Sequence, residues 1–412
     1  MISVEEAREA VLSRIQRLPA EQVDLLDTFG RVLAEDIVSD IDVSPFDNSA
    51  MDGYAVRAAD VAGASEQSPV VLKVVDHIAA GAFPEIEVTE GQTSRIMTGA
   101  PTPVGADSVV MVERTRALEE QGGVGGTVAI LAPVRVGENV RRRGEDVKKG
   151  ETVLAAGEVV SPAAVGLMAA MGHSRVSVYR RPRVAVVATG DELVSVDTVP
   201  TLGKIRNSNS YSIAAQVLAA GGEPHILPVA RDNEADTRAI LSRAPEYDLM
   251  VTTGGVSMGD FDVVKDVLSD IGKMDFWKVA MRPGAPQTYG TIGGTPFFGL
   301  PGNPTSTMVG FELFVRPAMR KMAGLVTLDR PQVTAVLAHD VKKKSDRRYF
   351  MRARLTPAAG GYSVSLSGAQ SSAMLTPMHH ANCLVSLPEG TSFAAAGTEV
   401  ICIRLDIEED VL

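Results

Sequence analysis

From Arg183 onward the chain repeats one unit: a short β-branched apolar run, a turn rich in glycine and aspartate, then an amphipathic stretch long enough for a helix. RVAVVATG leads to a helix near Ile213 to Ala220, HILPVA to one near Ala235 to Arg243, DLMVTTGG to one after Ser257, and FFGLPGNP to a long helix ending about Met322. Strands that alternate with helices at this spacing form a parallel sheet covered on both faces. Such sheets bind ligands outside the carboxyl ends of their strands. The loops expected there are TGDE, TTGGVSMGD and GLPGNP.

This block, residues 178–327, is one part of a multidomain α/β plus β chain of 412 residues, more than one core usually organises. At the N-terminus Ser3 and Glu6 form a capping box, and Ala7, Val11 and Ile15 lie on one helical stripe. A second helix is expected from about Leu25 to Glu35. Residues 1–43 and 140–177, the latter including SPAAVGLMAAMG, read as an elongated, discontinuous framework domain. Residues 44–139 carry short β runs separated by Gly, Pro and Asp and read as an inserted β domain. After Asp329 short strands and turns return, so residues 328–412 are expected to form a small C-terminal β domain.

No basic segment followed by an apolar run opens the chain, and no apolar run is long enough for a membrane span. A net charge of −11 leaves no bulk basic surface for nucleic acid. Cys383 and Cys402, both in strand-like sequence, supply neither a disulfide framework nor a zinc spacing, which fits a reducing cytoplasm. The adjacent His379 and His380, read as lying on a strand, point apart and have no third ligand spaced nearby.

Any anionic ligand must therefore meet local features. In GLPGNP, Asn303 is placed to cap a helix, Pro304 suits its first turn, and Gly299 and Gly302 let backbone approach a ligand closely. Such a helix start is a ready anion site. In TTGGVSMGD, Gly254 and Gly255 can form an amide nest, and Ser257 with Asp260 a capping box. Each loop alone reads equally well as ordinary helix capping; together they fall at one edge of one sheet. Carboxylates recur at turns and strand ends: Asp52, Asp146, Asp191, Glu192, Asp232 and Asp262. Singly each is an ordinary turn residue, but collectively they point to a divalent cation, and oxygen ligands beside phosphates suit Mg²⁺. Arg141, Arg142 and Arg143 precede Gly144, and Lys278 and Arg282 lie in FWKVAMRPG; arginine suits bidentate oxyanion contacts, lysine a point charge.

Taken in order, PFDNSAMDGYAV, RIMTGAPTPVGAD, NVRRRGEDV, VATGDEL, TTGGVSMGD, FWKVAMRPG and GLPGNPTS resemble the MoeA family of molybdopterin molybdenumtransferases, from the N-terminal helix to about residue 405. The family also includes the C-terminal domain of gephyrin. The resemblance implies a molybdopterin-binding α/β domain and an enzyme that inserts molybdate into adenylylated molybdopterin, with Mg²⁺, releasing AMP. It implies essential polar roles for Asp52, Thr98, Asp146, Glu192, Asp232 and Asp262, with Glu192, Asp232 and Asp262 as metal ligands. It implies cationic roles for Arg141, Lys278 and Arg282, the last standing where many relatives have lysine. Pro301 and Pro304 match ligand-loop prolines, and Gly254, Gly255, Ser257, Gly302, Asn303 and Ser372 are expected to contact the pterin nucleotide.

Two other functions are weighed against this one. An adenylyltransferase of the same pathway would share the TTGG and GLPGNP loops but needs neither DNSAMDGYAV nor RRRGED. A gephyrin-like scaffold would bind a partner peptide without catalysis, yet the acidic positions are intact. Because Asp52 and Thr98 lie in the inserted domain while TGDE, TTGG and GLPGNP lie far along the chain, a homodimer with a site shared between chains is expected. Transient contact with other cofactor-biosynthesis or target molybdoenzymes is the remaining partner expectation.

Overall fold

The computed structural model describes residues 1–255 and 263–407, apart from the Trp277 side chain. The chain divides into two compact units: one comprises Met1–Val23, Thr28–Ala34 and Ser177–Leu412, the other Asp24–Asp27 and Glu35–Val176.

Besides the helix α2 (Pro162–Ala170), the second unit is built on a six-stranded mixed sheet. Its strands are β1 (Gly53–Val56), β2 (Val70–Ile78), β3 (Gln92–Ile96), β4 (Ser108–Met111), β5 (Thr115–Ala117) and β6 (Thr127–Ile130), in the order β4-β1-β3-β2-β6-β5. Alternation along the strands divides the apolar residues between two clusters. Tyr54, Val56, Leu72, Val74 and Val128 face one, and Ala55, Ile78, Ile96 and Val109 the other.

The first unit opens with α1 (Val4–Arg14). Its capping box is formed as expected: Glu6 N donates to Ser3 Oγ at 3.1 Å and Ser3 N to Glu6 Oε2 at 2.7 Å. The expected second helix is absent. Leu25–Thr28 makes only a 3₁₀ turn, and Leu26 and Phe29, which mimicked a helical stripe, are 81% and 56% exposed.

The α/β sheet uses β7 (Arg183–Ala188), β8 (Glu223–Ile226), β9 (Leu249–Thr253), β10 (Gly272–Lys278), β11 (Pro286–Ile292) and β12 (Thr295–Leu300), in the order β8-β7-β9-β12-β11-β10. The four strands β8, β7, β9 and β12 are parallel. The other two depart from the expected parallel pattern: β11 returns antiparallel to β12 through the two-residue Gly293-Gly294 turn, and β10 pairs antiparallel with β11.

Helices cover both faces, as a strand buried on both sides requires. Val184 and Val186 pack with α1, with α3 (Asn209–Ala219) and with the helical run that starts at α6 (Pro304–Gly310). Ala185 and Val187 face α4 (Glu234–Leu241) and α5 (Val263–Ile271). The run after α6 continues through a π-helical turn, Phe311–Val315, into Arg316–Met322.

The chain then forms β13 (Gln332–Leu337), β14 (Arg348–Ala358), β15 (Gly361–Leu366), β16 (Cys383–Leu387) and β17 (Glu399–Arg404). Because β16 pairs with both β17 and β14, the order β14-β15-β13-β17-β16 closes on itself as a small barrel. The two-residue strand Met281–Arg282 adds beside β14 and sets Arg282 opposite Tyr349. Cys383 and Cys402 are free thiols inside the barrel wall. His379 ends a one-turn helix and His380 is its C-cap residue, so neither lies on a strand. Among the described residues no group of His, Cys, Asp or Glu forms a ready metal cluster, and no helix is long and apolar enough to cross a membrane.

Candidate active site

The carboxyl ends of the parallel strands converge because their loops share backbone hydrogen bonds. Thr189 N donates to Thr253 O at 3.1 Å, Gly190 N to Ala230 O at 3.2 Å, and Gly254 N to Leu300 O at 3.1 Å. Between β7 and β9 the connections diverge to opposite sides of the sheet, the position at which a crevice opens in folds of this kind. A cavity of about 900 Å³ lies there, and every residue that lines it falls between Thr189 and Ser372.

Nine of the residues singled out from the sequence line this cavity: Glu192, Asp232, Gly254, Gly255, Arg282, Pro301, Gly302, Asn303 and Ser372. Pro304 lines an adjoining one with Glu192, Gly254 and Asn303. Lys278 is half-buried at the end of β10 and lines neither. Ser257 and Asp262 lie outside the described residues.

Gly254 shows why glycine is needed here. Its φ is +91°, and a Cβ at that position would meet Thr189 O at 2.8 Å and Thr189 Oγ1 at 2.9 Å. Asn209 ties the two ligand loops together, its amide nitrogen donating to Thr253 Oγ1 and to Gly302 O, each at 2.8 Å. Asp191 and Asp232 lock the first two loops reciprocally: Asp191 N donates to Asp232 Oδ2 at 3.2 Å, and Asp232 N to Asp191 Oδ1 at 3.3 Å. Thr189 Oγ1 is buried among these loops without a hydrogen-bond partner among the described residues.

Asn303 occupies the N-cap position of α6, but its side chain makes no capping bond. Instead Thr305 N donates to Ser372 O at 3.1 Å, so a carbonyl from the barrel side caps the helix and the Asn303 side chain is released from that role.

The cations face the cavity from the other side of the sequence. Arg282 Nη1 donates to Tyr349 Oη at 3.3 Å, and its guanidinium lies 5.4 Å from that ring's centre, with no carboxylate partner among the described residues. Arg347, Ser306 and Gln370 also line the cavity and were not singled out as contacts from the sequence. Arg347 sits in the run KKKSDRR, where nothing distinguishes one cation from the next.

In the other unit, Asp52 and Thr98 are joined directly. Asp52 Oδ1 accepts from Thr98 N and from Thr98 Oγ1, each at 2.7 Å. These bonds, with the Arg95 field, hold the Asp52 carboxyl below its usual range. Gly53 lets β1 pass beside β4, since a Cβ there would meet Val110 O at 1.9 Å, and this fixes Asp52 at the strand's entrance. Ser49 N to Ala100 O, Gly99 N to Ser49 O and Ala50 N to Asn139 O knit three segments into one edge. That edge carries Asp52, Thr98 and Arg141. Of the three arginines, Arg142 pairs with Asp47 at 2.7 Å and Arg143 with Asp42 at 2.6 Å, while Arg141 is exposed and has no ion pair among the described residues. Asp146 is exposed as well.

An α/β sheet with acids and a glycine turn at its carboxyl edge, and with arginines that have no carboxylate partner among the described residues, has the form of a ligand-binding domain. Residues 185–321 match the family model described as "Probable molybdopterin binding domain", residues 2–172 the MoeA N-terminal region (domain I and II), and residues 334–405 the MoeA C-terminal region (domain IV). The chain is 38% identical to a molybdopterin molybdenumtransferase of Staphylococcus aureus (strain COL), covering 100% of this chain and 98% of the relative. It is 42% identical to molybdopterin molybdenumtransferase 2 of Mycobacterium tuberculosis (strain H37Rv), covering 97% and 98%. The crystal structure of molybdopterin biosynthesis moeA protein from Pyrococcus horikoshii OT3 superposes with a TM-score of 0.79 at 32% identity, covering 98% of this chain and 99% of that one. The chain belongs to the MoeA family of molybdopterin molybdenumtransferases.

Proposed function

We propose that this protein transfers molybdenum, inserting molybdate into the dithiolene of adenylylated molybdopterin and releasing AMP, and that it works as a cytoplasmic homodimer. One observation carries the reading. A single cavity gathers Glu192 and Asp232 from the β7 and β8 loops, the Gly254-Gly255 turn, and Arg282 and Arg347 without carboxylate partners among the described residues. Molybdate and a pyrophosphate ester repel each other, so a site that joins them must place cations where the oxyanion binds.

The donor set suits Mg²⁺. Glu192 and Asp232 border the cavity, and Thr189 Oγ1 is an additional buried oxygen with no partner among the described residues. Glu192 and Asp232 would hold the ion, with Asp262 joining them from outside the described residues. When bound, Mg²⁺ neutralises charge across the phosphates. The protein's own groups do the rest. Gly254, whose own N–H is held by Leu300 O, shapes the turn so that the Gly255 backbone amide can meet a phosphate oxygen. Arg282 and Arg347 grip molybdate with charge-assisted hydrogen bonds, Lys278 adds a more distant positive charge, and Ser372 and Ser306 supply hydroxyl donors. Pro301, Gly302 and Asn303 fix the wall against which the nucleotide lies.

Asp52, Thr98, Asp146 and Arg141 belong to the same site in this reading, supplied by the inserted domain of the partner chain in an isologous dimer. Transient docking to other cofactor-biosynthesis or target molybdoenzymes would take up the product. The test is to give purified protein molybdopterin adenylate with Mg²⁺ and to follow AMP with and without molybdate. AMP release that requires molybdate supports the reading, and release of the same extent without it refutes it.

A further inference from the structure

We propose that Arg352 is a positioning residue for this site: its buried guanidinium holds the 367–374 segment so that Gln370 and Ser372 reach the cavity and Ser372 caps α6. The proposal rests on the function proposed above for what the segment does, though not for how it is held.

Arg352 lies in β14, 1% exposed, within the barrel wall. Its Nη2 donates to Ala369 O at 3.2 Å and to Ser371 O at 3.0 Å. The Arg352 backbone is engaged by the same segment. Its N–H donates to Gln370 Oε1 at 3.1 Å, and its carbonyl accepts from Gln370 Nε2 at 3.1 Å and from Ser367 N at 3.0 Å. The Gln370 amide thus stands in for a neighbouring strand, while the guanidinium reaches past it to grip carbonyls on either side.

The far end of the segment is tied to the α/β domain. Thr305 N donates to Ser372 O at 3.1 Å, and Thr305 Oγ1 to Met374 O at 2.7 Å. Between these anchors, Gln370 and Ser372 line the cavity. One buried side chain in the barrel therefore sets both the position of two cavity residues and the cap on the GLPGNP helix.

Stability does not account for this choice of residue. No carboxylate pairs with Arg352 among the described residues, its Nε has no hydrogen-bond partner, and burial pulls the guanidinium down to about 10, still cationic at neutral pH. A buried cation without a counter-ion is expensive, and apolar residues of similar volume commonly replace such groups without loss of stability. A merely structural Arg352 would then tolerate Arg352→Met. A positioning Arg352 would not.

The experiment uses the full-length protein. Arg352→Met should leave the urea midpoint of unfolding unchanged, while amide exchange in peptides covering 367–375 and at Thr305 accelerates about tenfold, the loss of two hydrogen bonds to a charged donor. The molybdate concentration for half-maximal AMP release should rise about tenfold with a smaller change in the maximal rate, and Arg352→Lys should restore part of the affinity. Arg352→Lys, whose single ammonium cannot hold both carbonyls as the guanidinium does, should accelerate exchange in the same peptides by a smaller factor, and it decides the matter if Arg352→Met does not fold. Exchange that is unchanged in the folded variants overturns the proposal. Because exchange is measured without substrate, a wild-type protein inactive with molybdopterin adenylate would defeat the functional reading alone.

Discussion

Thr98 gives Asp52 both its backbone N–H and its hydroxyl, two bonds of 2.7 Å to the same carboxylate oxygen. The pair prepares a fixed negative charge on an exposed edge of the second unit. Since the Asp52 pKa is lowered when folded, its contribution to stability is present above the unfolded value of 3.8 and is lost as pH falls through the folded value. Thr98→Val keeps the amide bond, the larger cause, and removes the hydroxyl. The Asp52 pKa, read by carboxyl NMR, is expected to move up towards 3.8 without reaching it. An unmoved value would show that the hydroxyl contributes nothing.

Arg282 faces Tyr349 rather than an acid. Its charge is therefore available to a ligand, and Arg282→Ala is expected to raise the half-saturating molybdate concentration about tenfold, equivalent to about 1.4 kcal/mol. Arg282→Lys keeps the charge and should be tolerated. An alanine variant with unchanged molybdate dependence would remove Arg282 from the oxyanion site.

Asp232 is exposed, and one of its carboxylate oxygens accepts from Asp191 N. Asp232→Asn should leave folding intact and abolish Mg²⁺-dependent AMP release, because loss of a charged oxygen weakens a hard cation more than it disturbs packing. Asp262→Asn is expected to behave alike. Turnover at the wild-type rate in either variant would contradict the metal assignment.

Gly254→Ala tests the ligand loop. At φ +91° and with Thr189 O only 2.8 Å from the new Cβ, the substitution should cost about 1–3 kcal/mol in urea unfolding. It should also weaken nucleotide binding. A variant as stable as the wild type would mean that the loop relaxes freely.

A shared site makes a quantitative prediction about mixed dimers. Asp52→Ala and Asp232→Ala subunits, each inactive alone, should regain roughly a quarter of wild-type sites on random exchange, by the twofold symmetry of the pair. Verified exchange with no recovery would put both residues in one chain's site.

Much of this was legible in the sequence where local pattern and tertiary role coincide. RVAVVA reads as a strand buried on both faces because both faces are covered, and Ser3 with Glu6 caps a helix using nothing beyond its own first turn. Long-range contacts were not legible. Asn303 looks like a cap, but the carbonyl that meets Thr305 N comes from Ser372, far along the chain. Leu26 and Phe29 imitate a helical stripe yet face solvent. Arg347 is one cation in a basic run, and only the fold separates it from Lys342 and Lys344 by placing it at the 900 Å³ cavity. The Gly272–Ile292 pair of the α/β sheet shows the same limit: the antiparallel return of β10 and β11 depends on pairing that alternating βα sequence does not announce.

The most direct measurement follows molybdenum and AMP in the same single-turnover reaction. With molybdopterin adenylate, Mg²⁺ and molybdate, metal bound to the pterin should appear in equal amount to AMP and at the same rate, and both should vanish in Asp232→Asn. AMP released while the pterin stays metal-free would make the protein a hydrolase of the adenylate and contradict molybdenum transfer.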